Sequence, residues 1–318
     1  GKIPAFLLIL IIGMLTISTF TLTMVPPASA PPIQLGTTQY PWTQYHYNLS
    51  NIGYNPDSPA PPTNRTLWTE ELGNINEGGP TVADGFVFVG GGSTVYALNM
   101  TTGEEGWNYT TGVTIRSAPA VSGGLVFIGA GSKLYAINET TGDEEWSYAS
   151  GRTLERVHPA VHDGKVFFGA VGASGGQPHN VTCLTTAGDF VWKYTIMDQV
   201  RGCPAIVGGL VYIGAADDTL YCLNETDGTQ LWNYSAATGD IRGSPAVADG
   251  KVFFGAADNK VYCINATSAT TLNDAERHIW NYTTGSYIYS TPAVAYGLVF
   301  IQSNDGELYC LNMTTGAK

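Results

Sequence analysis

Basic side chains are scarce in this sequence. It has 14 Lys and Arg against 26 Asp and Glu, which gives a formal net charge of −12 at pH 7. Proteins that bind nucleic acid cluster Lys and Arg on one surface, because contacts to phosphate supply much of the affinity. The charge balance therefore argues against a nucleic-acid partner.

Cysteine is also rare, and its pattern argues against disulfide bonds and zinc. There are five cysteines, an odd number, and no Cys-x-x-Cys pair. Cys183, Cys222, Cys263 and Cys310 occupy one position of an internal repeat. Equivalent positions in neighbouring repeat units should lie beyond the Cα limit of about 7 Å for a disulfide. We interpret these cysteines as small buried core residues.

Catalytic and metal-binding patterns are missing as well. The sequence has no Gly-x-Ser-x-Gly and no His-Glu-x-x-His, and Gly169–Gly176 lacks the Lys-Ser/Thr of a phosphate loop. His158 and His162 are separated by about 13 Å of strand, too far for two ligands of one metal. His179, on an insertion, is the one further candidate ligand. We predict no catalytic residues and no metal site.

The sequence does contain a repeat of about 40 residues. Its six units begin at prolines: Pro80, Pro119, Pro159, Pro204, Pro245 and Pro292. A tryptophan recurs at the same place near the end of a unit: Trp68, Trp107, Trp146, Trp192, Trp232 and Trp280. We predict that these six tryptophans dock one unit on the next.

Each unit reads as four short strands. In the fourth unit, Leu210–Gly214 is a continuous apolar run, typical of a strand covered on both faces. Leu231–Tyr234 alternates, with both aromatic side chains on one face. Asp-Gly and Gly-Gly dipeptides supply tight turns. A small meander cannot bury both of its faces, so the repeat predicts an all-β propeller with six recognisable four-stranded antiparallel blades.

Residues 1–30 differ from the repeat units. Lys2 precedes the apolar run Ala5–Leu15, and the segment ends in Ala28-Ser29-Ala30. These features are typical of a secretory signal peptide. A retained membrane anchor is the alternative, because Ala5–Val25 is about long enough to cross a bilayer. A third hypothesis is a helix that assembles a surface filament or layer. All three predict a hydrophobic N-terminal helix, with membrane contact only if it stays uncleaved.

The rest of the chain divides into a Pro- and Tyr-rich lead-in, residues 31–66, and the propeller, residues 67–318. The last unit stops at Lys318, before the tryptophan that its fourth strand requires. We therefore expect a propeller truncated at its C-terminus. Leu67–Leu72, which contains Trp68, is a spare fourth strand that would complete the last unit.

Eleven Asn-x-Ser/Thr sequons indicate the compartment, where about three are expected by chance. They lie at Asn48, Asn64, Asn99, Asn108, Asn138, Asn180, Asn224, Asn233, Asn265, Asn281 and Asn312. The simpler explanation, that Asn suits turns, accounts in part for the five at the third turn of a unit. It does not cover Asn108, Asn233 and Asn281 on the outermost strand. We predict an exported, glycosylated protein outside the cell or on its surface.

The third and fourth strands fit the pattern Ala-x5-Gly-x3-Trp, as in Ala97–Trp107 and Ala136–Trp146. This pattern resembles the tryptophan-docking repeat of the PQQ-like (quinoprotein-type) β-propellers, and Trp42–Asn55 resembles the lead-in of their secreted members. The resemblance implies a ring of blades joined through tryptophans. Intact members often have seven or eight blades, which agrees with a truncated chain.

The resemblance does not establish a cofactor. Quinoprotein dehydrogenases of this kind bind PQQ on a calcium ion, with an Asp base and often a vicinal Cys pair. This chain has no Cys-Cys, and its acidic residues lie mainly in turns. Other relatives are non-enzymatic and bind proteins. We predict no cofactor and favour a non-enzyme, with a fragment of a PQQ- and calcium-dependent oxidoreductase as the alternative.

Four arginines lie three residues before a first-strand proline: Arg116, Arg156, Arg201 and Arg242. Tyr289 and Glu77 hold this position in the other two units. First strands line the channel of a propeller, so these side chains should gather at one mouth, where guanidinium groups bind carboxylates or phosphates. The alternative is that each arginine pairs with a neighbouring unit. Our functional hypothesis is a binding or scaffolding module for a protein or an acidic glycan or peptide.

Overall fold

The computed structural model describes residues 66–74, 78–172 and 178–318. The chain divides into two units, residues 1–38 and 39–318, and the described residues all belong to the second. The predicted N-terminal helix, almost all of the lead-in, and Glu77 lie outside them. No helix within the described ranges is long and apolar enough to cross a membrane.

Six antiparallel sheets, called blades 1 to 6, follow one another along the chain. Blade 1 comprises β1 (Thr81–Ala83), β2 (Phe86–Gly91), β3 (Thr94–Asn99) and β4 (Glu105–Thr110). Blade 2 comprises β5 (Ala120–Ser122), β6 (Leu125–Ala130), β7 (Lys133–Asn138) and β8 (Glu144–Ala149). Blade 3 comprises β9 (Ala160–His162), β10 (Lys165–Phe168), β11 (His179–Thr185) and β12 (Phe190–Ile196).

The second half of the propeller repeats this plan. Blade 4 comprises β13 (Ala205–Val207), β14 (Leu210–Gly214), β15 (Leu220–Asn224) and β16 (Gln230–Tyr234). Blade 5 comprises β17 (Ala246–Ala248), β18 (Lys251–Gly255), β19 (Lys260–Asn265) and β20 (His278–Thr283), with a single helical turn, α1 (Asp274–Arg277), before β20. Blade 6 comprises β21 (Ala293–Ala295), β22 (Leu298–Gln302) and β23 (Leu308–Asn312).

In every blade the strands pair in chain order, and the first strands of successive blades lie side by side from β1 to β21. This arrangement confirms the predicted all-β propeller of antiparallel blades. The tight turn between the first two strands requires a left-handed backbone. Asp84, Asp163 and Asp249 adopt φ values of 44°, 44° and 48° there, each followed by a glycine.

The hydrophobic core lies between blades. Trp232 and Tyr234 of blade 4 share one buried cluster with Phe254 and Tyr262 of blade 5. Four other clusters join the remaining pairs of adjacent blades in the same way. Each fully buried large side chain contributes roughly 1.5–3 kcal/mol, so a blade obtains most of its stability from its neighbours.

The tryptophans of the repeat connect each blade to the next. Each indole Nε1 donates a hydrogen bond of 2.8–3.2 Å to a backbone oxygen beyond the third strand of the following blade. The pairs are Trp68 with Met100, Trp107 with Glu139, Trp146 with Thr186, Trp192 with Glu225, Trp232 with Thr267 and Trp280 with Met313.

Blade 6 departs from two expectations. Its sheet has three strands, and residues 67–72 are not among them, although the described part of the chain includes them. Trp68 of this segment docks on blade 1, where its Nε1 donates to Met100 O at 3.0 Å, as the other repeat tryptophans do on their following blades. Cys310 is exposed, whereas we expected every repeat-position cysteine to be buried. No outer strand covers β23 in the described residues, and this explains the exposure.

Candidate functional site

Three of the four predicted arginines meet at one cavity of about 290 Å³. Arg156, Arg201 and Arg242 line it together with Tyr289, which holds the same repeat position in blade 6. Each side chain comes from the segment that leads into a first strand. Because the first strands of successive blades are neighbours, the repeat places these residues side by side.

A second cavity of about 200 Å³ adjoins the first. Arg156 and Arg201 line both cavities, so these two side chains separate them. Glu155 and Gln199 also line the second cavity, which makes it less uniformly basic than the first.

The guanidinium groups are held in fixed positions. Arg242 donates from Nε and Nη2 to Asp240 Oδ2, at 2.8 and 2.5 Å, and its guanidinium lies 4.7 Å from the Tyr289 ring centre. Arg201 donates from the same two atoms to Gln199 Oε1, at 2.8 and 2.5 Å. The carboxylate of Asp240 offsets the charge of Arg242.

Arg116 lines neither cavity. Its Nη1 lies 3.8 Å from Glu155 Oε2, and both side chains are more than a third exposed. Solvent screens such a pair, so it contributes about 1 kcal/mol or less. Of the four arginines, Arg156, Arg201 and Arg242 therefore lie together at the cavity. Arg116 instead pairs with Glu155 of the neighbouring unit, as the alternative interpretation expected.

A series of hydrogen bonds between blades supports the floor of the arginine cavity. At three junctions between adjacent blades, the residue before the first-strand proline donates its backbone N–H to the side chain at the same position in the next blade. Cys203 N donates to Ser244 Oγ at 2.7 Å, and Ser244 N donates to Thr291 Oγ1 at 3.1 Å. Ala118 N donates to His158 Nδ1 at 2.8 Å, so in neutral His158 the ring proton is on Nε2. This series was not predicted from the sequence, although the polar residues His158, Ser244 and Thr291 before the prolines were the available signal.

Acidic side chains surround the neighbouring hairpins of blades 4 and 5. Burial raises the pKa of Asp218, and the charges of Asp240, Asp217, Asp258 and Asp198 raise it further. The arginine cavity thus lies next to a region of negative potential. A ligand with separated charges would find both signs within this part of the mouth.

The three candidate histidines have separate environments. His158 accepts from Ala118 N, His162 Nδ1 lies 2.7 Å from Glu225 Oε1, and His179 is buried. Burial and the charge of Arg152 lower the pKa of His179. Within the ranges that the structure describes, no group of three or more His, Cys, Asp or Glu side chains is arranged to hold a metal ion.

The sequons at the third turns have a structural role of their own. In each, the Asn Oδ1 accepts from the backbone N–H two residues later, at 2.7–3.0 Å. These asparagines are Asn99, Asn138, Asn224, Asn265 and Asn312. Asn108, Asn233 and Asn281 are exposed on outer strands, and Asn180 is half-buried on β11. Asn48 and Asn64 lie outside the described residues.

A family model described as outer membrane protein assembly factor BamB, of the PQQ repeat type, matches residues 58–176, 149–268 and 233–318. This chain belongs to that family. The matches cover every blade, so the PQQ-like repeat indicated by the tryptophan pattern is confirmed.

One curated member, outer membrane protein assembly factor BamB of Nitrosomonas eutropha, is 32% identical over 76 residues. That alignment spans 22% of this chain and 19% of the relative's length. Among solved structures, a europium-containing methanol dehydrogenase has a TM-score of 0.65 at 13% identity, covering 87% of this chain and 84% of that one. The quinohemoprotein alcohol dehydrogenase of Comamonas testosteroni has a TM-score of 0.65 at 14% identity, covering 88% and 72%. At these identities, the likeness shows a shared fold.

The arginine cavity does not match the calcium and PQQ site that the dehydrogenase resemblance implies. Its described lining residues include no carboxylate to bind calcium and no tryptophan to stack on a quinone ring. They supply guanidinium, imidazole and hydroxyl donors, which suit an anionic ligand.

Proposed function

We propose that this protein is an exported, glycosylated, non-catalytic propeller that binds an acidic segment of a partner protein at the arginine cavity. The observation that carries the proposal is the meeting of Arg156, Arg201 and Arg242 at one cavity. It acts as a surface binding or scaffolding module, and an acidic glycan with the same carboxylate chemistry would be bound by the same groups.

The geometry supports this role in two ways. The hydrogen bonds of Arg201 and Arg242 hold the guanidinium groups in place, so binding loses little side-chain entropy. The exposed aromatic pair Tyr287 and Tyr289, with ring centres 4.8 Å apart, adds a surface for the apolar part of a peptide. The name of the curated relative, an assembly factor, agrees with a role in contacting other proteins.

The test is binding of a fluorescent ten-residue poly-glutamate peptide, measured by anisotropy at several salt concentrations. We expect Arg201→Ala to weaken binding about tenfold, because a charge-assisted hydrogen bond contributes about 1.5–3 kcal/mol. Affinity should also fall with salt. The matched control is Arg116→Ala, which removes an arginine from the same repeat position but outside both cavities.

Equal binding by the wild type and Arg201→Ala contradicts the arginine cavity as the site. Equal losses in Arg201→Ala and Arg116→Ala would indicate a diffuse charge effect instead. Oxidation of an alcohol or sugar by the purified protein with added PQQ and Ca²⁺ would contradict the non-catalytic role and favour the oxidoreductase alternative.

A further inference from the structure

Asn233, on the outer strand of blade 4, differs from the asparagines at the same position in other blades. Asn108 Nδ2 donates to Glu105 Oε1 at 2.7 Å, and Asn281 Nδ2 lies 3.2 Å from His278 Nε2. Asn233 is exposed and makes no side-chain hydrogen bond within the described part of the chain. Its amide nitrogen, the atom to which an N-glycan is attached, is therefore available.

The residue three positions before the asparagine also differs between these blades. Gln230 occupies the position of Glu105 and His278, three residues before the asparagine. Its side-chain oxygen already accepts a hydrogen bond from the hydroxyl of Tyr194 in blade 3. Gln230 thus bonds to the neighbouring blade and, unlike Glu105 and His278, makes no hydrogen bond to the asparagine three residues later.

Asn233 also lines a groove of about 600 Å³ between β16 and the blade 5 insertion. Gln230 and Trp232 lie on the same wall, and Thr270, Asn273 and Asp274 contribute the opposite wall. The volume is within the usual range for small-molecule sites. Hydroxyl, amide and carboxylate groups on the walls offer the donors and acceptors that sugar hydroxyls require.

We propose that Asn233 carries an N-glycan whose first sugars lie in this groove and hold the insertion against blade 4. This rests on the proposed function, because it requires export past a glycosylating enzyme. In the reaction, Asn233 Nδ2 displaces the phosphate of a lipid-linked oligosaccharide at sugar C1. The C1–O bond breaks, the N–C1 bond forms, and the amide proton leaves with the phosphate.

The fold also indicates when the sugar is added. Ser235, the hydroxyl residue of this sequon, donates from its backbone N and its Oγ to Asp274 Oδ2, at 2.9 and 3.1 Å. Once the insertion has docked, the sequon is engaged by α1. Attachment therefore precedes docking of the insertion, and the glycan is enclosed as the insertion folds over it.

The test uses the full chain expressed in a host that glycosylates Asn-x-Ser/Thr. Glycopeptide mass spectrometry reports the occupancy of each sequon, and hydrogen exchange follows residues 268–279. We expect Asn233 to be occupied, and Asn233→Gln to speed exchange in the insertion about threefold. Asn108→Gln, the same change on blade 1, should leave the insertion unchanged. In a host without glycosylation, Asn233→Gln and the wild type should exchange alike.

The outcomes separate this inference from the proposal on which it rests. No sugar on any sequon contradicts both the glycosylated state and the groove. Sugar on other sequons with Asn233 empty overturns the groove alone. If Asn233 is occupied but Asn233→Gln leaves the exchange unchanged, the glycan points into solvent. This result also overturns the proposal that the sugars lie in the groove.

Discussion

The guanidinium of Arg277 lies 3.9 Å from the centre of the Trp232 ring, where other blades present a glycine to the corresponding indole. In blade 2, for example, a Cβ on Gly142 would lie 2.8 Å from the ring of Trp107. Blade 5 has an insertion at this point, and the fully buried Arg277 covers the indole instead. The insertion thus supplies the junction between blades 4 and 5 with a cation–π contact.

Arg277→Ala should destabilise the protein by about 3 kcal/mol, because it leaves a cavity above Trp232. It also removes the hydrogen bonds of Arg277 to Thr267 O, at 3.1 Å, and to Ala269 O. The stability of Arg277→Lys should lie between those of the wild type and Arg277→Ala, since an ammonium group cannot stack as a planar guanidinium does. Urea unfolding measures the change. A loss below about 0.5 kcal/mol, similar to that of an exposed side chain, would show that the contact is incidental.

The glycines beneath the other tryptophans should be intolerant of any side chain. Gly228 has a φ of 71°, and a Cβ there would lie 2.5 Å from the Trp192 ring. Gly208 has a φ of 60° but open space around it. We expect Gly208→Ala to cost about 1 kcal/mol from backbone strain, and Gly228→Ala to cost at least about 3 kcal/mol from strain and overlap. Equal costs in urea unfolding would mean that blades dock without close contact at these glycines.

Most of the fold could be predicted from the repeat in the sequence. Strand alternation, Asp-Gly turns and the spacing of tryptophans are local features, so they predicted the blades before any contact was known. Arg277 was not predicted, because its role depends on how an insertion folds back over a neighbouring blade. A buried arginine in an insertion of otherwise polar character gives no periodic signal.

The candidate site was only partly predictable for a related reason. Shared repeat position predicted that the arginines would be neighbours, and three of them line one cavity. It did not distinguish Arg116, because the difference arises from Glu155 on the following blade. Side-chain pairing between blades depends on residues about 40 positions apart, and the repeat pattern does not specify which residues these are.

Stability should fall as the pH rises toward neutrality, through the carboxyl group of Glu139. Glu139 is buried where blade 2 meets blade 1, and burial together with Asp84 raises its pKa from 4.5 to about 7. The folded protein therefore favours protonated Glu139. Its contribution is fully present below pH 4.5, and it is lost as the pH rises through about 7.

Urea midpoints measured between pH 4 and pH 8 test this pair. We expect Glu139→Gln, which mimics the protonated acid, to reduce the decline between pH 4.5 and pH 7. The matched control is Glu225→Gln, which changes the same repeat position in blade 4, where the acid faces His162 and Lys165. An undiminished decline in Glu139→Gln would place the pH dependence elsewhere.

The pentapeptide Leu-Tyr-Cys-Leu-Asn occurs twice, as β15 and as β23, with different environments. In blade 4 an outer strand covers it, and Cys222 pairs directly with Trp232. In blade 6 it is the last described strand of the sheet, and Leu308 is 62% exposed where Leu220 is 0%. Because the two copies have the same sequence and differ in whether an outer strand lies over them, their exposure can be compared directly.

In a protein made of residues 1–318 alone, Cys310 should consequently be the one thiol that reacts quickly with an aromatic disulfide reagent before unfolding. Burial raises the pKa of Cys183, Cys222 and Cys263 to about 12, and it raises that of Cys203 as well. Since thiolates are the reactive form, these four should respond only after unfolding. Titration should give about one equivalent in buffer and five in denaturant, with Cys310→Ser abolishing the native equivalent. A slow Cys310 in this folded 318-residue protein would mean that another strand covers β23 in solution.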